Sequence, residues 1–300
     1  MILIVLIQAL FSLVFPLGQL ALQYCPPFSL IALRMFIGGA ILLGYYAWIG
    51  GQKHLNKSFL WHIFLLGLFN IYLTNAYEFW GLQYMTGAKT CFIYNLSPFF
   101  SAFFAYLHFG EQMTAKKWIG LMISFCGFIP IMLTPSAGEI ALNHIGFLST
   151  AEISLIIATI ASVYGWIIMQ DIVRRKGWNT TYANGLSMLI GSFFSLATSF
   201  VSESWSPTPV TSWWPFIGYV MLIVLVSNII CYTAYAYSLK KYTATFMSFT
   251  GLIGPFFAAL YDWLFFGTIV SYHFYIATSL VMIGLYIFYY EDLRQGYLIV

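Results

Sequence analysis

Charge is what this chain of 300 residues lacks most: 7% of it is Asp, Glu, Lys or Arg, while 61% is hydrophobic. A water-soluble domain carries roughly 25% charged residues, because its surface must be hydrated. Nine acids and twelve bases therefore exclude a soluble globule of this length. Cys25, Cys91, Cys126 and Cys231 stand apart, with no C-x-x-C pair and no His spacing that would build a metal site. They read as small hydrophobes in or beside helices. No G-x-x-x-x-G-K-[ST] is present, so no ATP-driven step is encoded here, and nothing else calls for a cofactor. His54, His62, His108, His144 and His273 are scattered, whereas a membrane enzyme would gather His, Asp or Cys at one interface. The formal charge of +3 is spread over short loops and offers no nucleic-acid patch. Met1 to Leu22 lacks a basic leader and an A-x-A-like cleavage site, so it is expected to be a retained first span.

What is present is apolar sequence in runs of about twenty residues, long enough to cross a bilayer as helices. Breaks at Gly, Pro and charge give ten expected spans, near 2–22, 28–49, 59–80, 87–107, 117–134, 150–170, 180–201, 214–237, 244–265 and 272–290. With a cytoplasmic N-terminus, the inner loops and tail hold Lys53, Lys57, Lys116, Lys117, Arg174, Arg175, Lys176, Lys240, Lys241 and Arg294. Ten of twelve bases then lie inside, with Lys89 at an outer edge and Arg34 within a span, which is the expected bias of cytoplasmic loops. Removing any one span scrambles that pattern. Trp48, Trp61, Trp118, Trp178, Trp213 and Trp214 near span ends fit interfacial anchoring.

The two halves also match. Pro98–Gly110 and Pro255–Gly267 agree at seven of thirteen positions at an offset of 157, and Gly127 finds Gly284 at the same offset. Asn70-Ile71 pairs with Asn228-Ile229, Ala76-Tyr77 with Ala234-Tyr235, and Leu33-x-Met35-x-Ile37-Gly38 with Leu186-x-Met188-x-Ile190-Gly191. Chance in a Phe-rich chain accounts for any one match, but not for four in one order at a near-constant offset. Five spans per half is an odd number, so the halves enter the membrane from opposite sides. The expected fold is an all-α polytopic membrane protein of ten transmembrane helices in two inverted five-helix repeats, 1–140 and 141–300. Inverted repeats place a site near the midplane between them and permit alternating access.

The order of Pro27, Leu33-Arg34, Leu96-Ser97-Pro98, Gly110-Glu111-Gln112-Met113-Thr114 and Gly120 to Gly127 resembles the EamA type of the drug/metabolite transporter superfamily. The second half repeats the marks as Gly254-Pro255, Trp263-Leu264-Phe265-Phe266-Gly267 and Gly284. The resemblance spans essentially the whole chain, with two departures. Gly267-Thr268 replaces the second Gly-Glu, and Ser187 stands opposite Arg34. It implies transport of amino acids, drugs, sugars, nucleotide-like compounds or cofactors, and some such relatives carry S-adenosylmethionine.

Ionisable groups at membrane depth cost several kcal/mol unless paired or hydrated, so each is a site candidate. Arg34 suits a carboxylate or phosphate, or pairs with helix-end carbonyls. Glu78 offers a proton site or an ammonium contact, unless it lies at the interface. Asp262, seven residues after Pro255 and flanked by Tyr261 and Trp263, either meets a cation or proton or sits in an ion pair at the outer boundary. Glu111 and Glu152, at helix ends, read as topological or dipole-stabilising. Asn70, Asn75, Asn95 and Asn228 either bond a substrate or join helices. Pro16, Pro98 and Pro255 free backbone carbonyls and point to a cavity and to bends. Tyr94, Tyr164, Trp166, Tyr232 and Tyr235 fall mid-span, where rings stack on a planar group or a cation. Gly185, Ser187, Gly191, Ser192 and Ser195 permit close helix approach in the seventh span.

The sequence therefore points to a secondary carrier of a small amphipathic metabolite, coupled to protons or to a counter-substrate and residing in the bacterial cytoplasmic membrane. An amino-acid-like solute and a purine-bearing one such as S-adenosylmethionine both suit unlike charges beside aromatics. A membrane enzyme lacks its residue cluster, and a channel usually needs oligomers or pore rings. The sequence leaves the oligomeric state open, a monomer being compatible.

Overall fold

The computed structural model describes residues 2–51, 56–109, 113–132, 136–146, 148–269 and 271–295. Lys53, His54, Gly110, Glu111 and Gln112 lie outside them, as do the side chains of Ala105 and His108. Among the described residues, ten helical stretches follow one another. They are α1 (Ile2–Leu22), α2 (Pro27–Trp48), α3 (Lys57–Leu82), α4 (87–109), α5 (Ala115–Met132), α6 (Thr150–Arg175), α7 (Thr180–Ser202), α8 (Trp213–Ser238), α9 (Ala244–Phe266) and α10 (Tyr272–Arg294). Among the described residues, eight of them are long and apolar enough to span a membrane, all but α4 and α5. Between α5 and α6 lie a short 3-10 turn, Ala137–Ala141, and an antiparallel strand pair, β1 (His144–Ile145) with β2 (Leu148–Ser149).

The burial pattern is that of a protein in lipid. Phe193, Val201, Trp214 and Ile283 are exposed, while Arg34, Asn70, Asn184 and Asn228 are fully buried. In water this arrangement would be unstable; in hydrocarbon the polar groups must instead find partners inside the bundle. Helix starts are marked by side chains that take orphan amides. Asn56, Thr86, Ser149, Asn179 and Thr243 each accept from the first turn that they precede.

Several helices are locally broken. Pro98 and Pro255 have no N–H for the carbonyls four residues back, Tyr94 and Gly251, and each follows a 3-10 turn, Tyr94–Leu96 or Gly251–Ile253. The Tyr94 carbonyl accepts the Ser97 backbone N–H of the 3-10 turn instead, and the Ser97 hydroxyl at 2.5 Å. Unforeseen in the sequence were π-helical stretches inside α3 and α8, Gly67–Leu73 and Val224–Cys231. The series Gly87–Ile93, Tyr94–Leu96, Ser97–Phe109 recurs as Ala244–Thr250, Gly251–Ile253, Gly254–Phe266, each 157 residues later. α5 packs on α10 through Gly120 against Gly284 and Gly127 against Ala277, an antiparallel contact. α2 meets α7 likewise, with Ala32 receiving a hydrogen bond from Ser192 and Gly39 touching the backbone of Gly185.

One end of the bundle is tied by polar contacts. Glu203, just past α7, accepts from the amides of Phe28 and Ser29 at 2.7 and 3.0 Å, capping α2. The Gln19 amide donates to the Met85 carbonyl at 2.8 Å. Buried Lys89 pairs with Glu139 and Glu152 at 2.8 and 2.7 Å, joining α4 to the segment before α6 and to α6 itself. Glu152 also forms a capping box with Ser149.

Candidate functional site

One cavity lies among α1, α2, α3, α4, α6, α8 and α9, with a volume of about 150 Å³. That is roughly ten times what a single water needs, so the space is suited to a solute. Of the twelve residues singled out from sequence, seven line it: Arg34, Asn75, Glu78, Tyr94, Trp166, Tyr232 and Tyr235. The lining extends to Ala244, the first residue of α9, away from the end held by Glu203, Gln19 and Lys89.

Arg34 is 1% exposed. One of its amino groups donates to the Asn75 side-chain oxygen, and the guanidinium lies 4.3 Å from the centre of the Phe79 ring. Its Nε and Nη1 atoms are buried with no hydrogen-bond partner among the described residues. Asn75 is held in turn, donating to the Ile71 carbonyl at 2.7 Å within the π-helical stretch. Glu78 follows Asn75 by three residues and shares its helix face. The half-buried Glu78 carboxylate accepts from the Tyr94 hydroxyl at 2.5 Å. It therefore lies against the cavity and is tied to α4.

Aromatic rings form another wall. Trp166 and Tyr235 lie 4.1 Å apart between centroids, Trp166 and Tyr232 5.4 Å, and Phe11 meets both tyrosines edge-on at 5.9 and 6.1 Å. Hydroxyl groups, including Ser12, Ser97, Ser101 and Ser162, also line the cavity, and the Tyr232 hydroxyl accepts from Asn75 at 3.4 Å. This arrangement can hold a solute with both charge signs at one end and a flat ring at the other.

Five sequence candidates lie elsewhere. Asn70 backs onto Gly165, where an added Cβ would come within 2.4 Å of the Asn70 Cβ. Asn95 is buried in the 3-10 turn beside Tyr94. Tyr164 packs edge-on against Phe69 at 4.8 Å and lies 5.4 Å from Phe104. Asn228 donates to the Arg34 carbonyl at 3.2 Å and so fixes the backbone that presents the guanidinium. Asp262 borders a separate crevice with Gln19 and Thr86 at the tied end.

Gln8 and Ser12 line the cavity but were passed over in the sequence. Gln8 donates to the Thr250 hydroxyl at 2.8 Å, and Ser12 to the Gly254 carbonyl at 3.0 Å, so α1 is stitched to the broken stretch of α9. The signal was available: Gln8, Ser12 and Gln19 are four and seven residues apart on one face of an otherwise apolar helix.

An all-helical membrane bundle with a polar and aromatic cavity between its helices is the architecture of a solute carrier. The EamA-like transporter family model matches residues 1–133 and again 149–290, so this chain belongs to that family. A relative from Chlamydia muridarum named S-adenosylmethionine/S-adenosylhomocysteine transporter is 33% identical over 286 residues, covering 95% of this chain and 90% of the relative. One of the same name from Chlamydia trachomatis serovar L2 is 33% identical over 287 residues, covering 95% and 87%. A solved structure described only as a crystal structure of protein matches with a TM-score of 0.68 at 16% identity, over 95% of this chain and 96% of its own, a likeness of fold alone.

Proposed function

We propose that this chain is a secondary carrier for S-adenosylmethionine and S-adenosylhomocysteine in the bacterial cytoplasmic membrane, and catalyses no reaction. The observation that carries this reading is the cavity itself, which brings Arg34 and Glu78 together with Trp166, Tyr232 and Tyr235 in one lining. Both compounds join an α-amino acid to a purine. The printed names of the two chlamydial relatives support the same substrates. An amino-acid carrier is the second reading, favoured by the Arg34 and Glu78 pair alone.

In this reading all ten helices span the membrane as two inverted five-helix repeats, 1–140 and 141–300. The recurrence of helix, 3-10 turn and helix at an offset of 157 supports it, as does the antiparallel packing of α5 on α10 and of α2 on α7. Both termini are cytoplasmic, as the distribution of basic residues suggests. The tied end is then the outer one and the cavity faces inward. Alternating access requires the Glu203, Gln19 and Lys89 contacts to loosen while the α9 end closes. A monomer is sufficient for such a cycle.

The test is uptake of labelled S-adenosylmethionine by proteoliposomes loaded with buffer, with S-adenosylhomocysteine, or with a proton gradient. Saturable uptake accelerated by internal S-adenosylhomocysteine supports exchange. Saturable uptake that needs the gradient instead supports proton coupling. No saturable uptake in any arm overturns the substrate reading.

A further inference from the structure

The cavity holds two kinds of unused valence from one half of the chain. Arg34 is almost fully buried, yet two of its three guanidinium nitrogens have no partner among the described residues. Buried polar groups are nearly always hydrogen-bonded, and a charged one left open is costly, so a missing acceptor is indicated. Cδ fills the edge between Nε and Nη1, so each of them makes a fork only with Nη2, which has a second hydrogen besides the one given to Asn75. Such a fork matches a carboxylate by two parallel hydrogen bonds. Asn75 holds the third nitrogen, and Asn228 holds the backbone carbonyl of Arg34. The fork is therefore fixed in direction before any ligand arrives.

Glu78 is the complement. One of its oxygens takes the Tyr94 hydroxyl, and no hydrogen bond to the other occurs among the described residues. A carboxylate only accepts, so the group that completes it is a donor, and a cationic donor makes the stronger, charge-assisted bond. Asn75 and Glu78 are three residues apart on one helix face, so the Arg34 fork anchored on Asn75 and the Glu78 acceptor look onto one region.

We infer that Arg34 and Glu78 divide an α-amino-acid headgroup between them, Arg34 taking the carboxylate and Glu78, with Tyr94, taking the ammonium. The purine then lies on the Trp166 and Tyr235 side. This deepens the proposed function and rests on it for the purine, while the headgroup division stands on the two charged residues alone. Its consequence is specificity: neither a neutral nucleoside nor an amine or acid lacking one headgroup charge can satisfy both residues.

The experiment crosses two variants with three ligands. The ligands are S-adenosylhomocysteine, its analogue with an aminopropyl chain (carboxylate removed), and its analogue with a carboxypropyl chain (amine removed). Dissociation constants are measured for the purified full chain in detergent, wild type, Arg34→Gln and Glu78→Gln. In the wild type each deletion weakens binding by about tenfold or more, the scale of a lost charge-assisted hydrogen bond. In Arg34→Gln the penalty for removing the carboxylate vanishes, while the amine penalty persists. In Glu78→Gln the pattern reverses. A variant that still binds its matching truncated ligand as the wild type does is thereby shown to be folded.

Equal losses for all three ligands in Arg34→Gln would mean that it only holds helices together, and would overturn the division, as would the opposite cross-pattern. A variant too unstable to purify is replaced by Arg34→Met or Glu78→Met, which also remove the charge and are scored by the same penalties. If the wild type ignores every S-adenosyl compound, the purine reading fails separately, and methionine with its decarboxylated and deaminated forms tests the headgroup. A wild type indifferent to those as well overturns the division.

Discussion

The Asp262 carboxylate accepts a hydrogen bond from the backbone N–H of Ala88 at 2.7 Å, so a residue near the end of α9 caps the first turn of α4. Gly87 leaves room for it, since an added Cβ there would approach the Asp262 carboxylate to 2.7 Å. Sequence alone left Asp262 open as a cation or proton site or as part of an ion pair at the outer boundary, and its place outside the central cavity favours the capping role. Asp262→Ala is expected to lower stability by about 1 kcal/mol, the usual scale for a lost helix cap, with Asp262→Asn losing less because an acceptor oxygen remains. Thermal unfolding in detergent, alongside substrate affinity, decides the matter. A large affinity change with little loss of stability would return Asp262 to the site.

Lys89, Glu139 and Glu152 form the second tie, in which one ammonium meets two carboxyl groups, all buried. Ser149 also donates to Glu139 at 2.7 Å, so the acids carry neutral hydrogen bonds as well. Removing the shared cation leaves both acids uncompensated, whereas removing one acid leaves a matched pair. Lys89→Met should therefore destabilise by about 3–5 kcal/mol, and Glu152→Gln by clearly less. Unfolding midpoints of the two variants would show the order; equal losses would mean that the three groups do not share one balance.

The helical, membrane-spanning character was legible because apolar runs and basic loops respond to local composition. The breaks at Pro98 and Pro255 were legible too, since a missing N–H is a property of one residue. The π-helical stretches Gly67–Leu73 and Val224–Cys231 were not, because nothing local forbids an ordinary helix there. For the site, Arg34 and Glu78 stood out as charges in apolar helices. Asn70, Asn228 and Asp262 stood out equally, yet lie behind or beyond the cavity, since helical rotation and helix–helix packing decide which polar groups face inward. The tie through Glu203 was invisible for a similar reason: its partners, Phe28 and Ser29, are 175 and 174 residues away in the chain.

Close backbone approach offers a test of packing. At Gly120 an added Cβ would lie 2.4 Å from the Gly284 carbonyl oxygen, a backbone atom that cannot swing aside. Gly218 has nothing within 4 Å of the same construction. Gly120→Val should separate α5 from α10 and cost about 1–3 kcal/mol, as overpacking does. Gly218→Val should be neutral or slightly stabilising, since valine has the higher helix propensity. Comparable melting curves for the two would place the contact in error.

Trp166 separates ring recognition from headgroup recognition. Its indole lies 4.1 Å from Tyr235 and 5.4 Å from Tyr232 between centroids, and all three line the cavity. Aromatic stacking on a nucleobase contributes about 1–3 kcal/mol when judged by alanine substitution, or roughly fivefold to 150-fold in affinity. Trp166→Ala should therefore weaken S-adenosylmethionine, S-adenosylhomocysteine and adenosine by similar factors, because the purine is common to all three. Trp166→Phe should recover most of the loss, since a flat face remains. Arg34→Gln should behave differently, weakening the two ligands that carry a carboxylate and leaving adenosine almost unchanged. Isothermal titration of the three ligands against the three variants reads both patterns. Were Trp166→Ala to spare adenosine, the purine would not rest on that wall, and the ligand would have to lie the other way round.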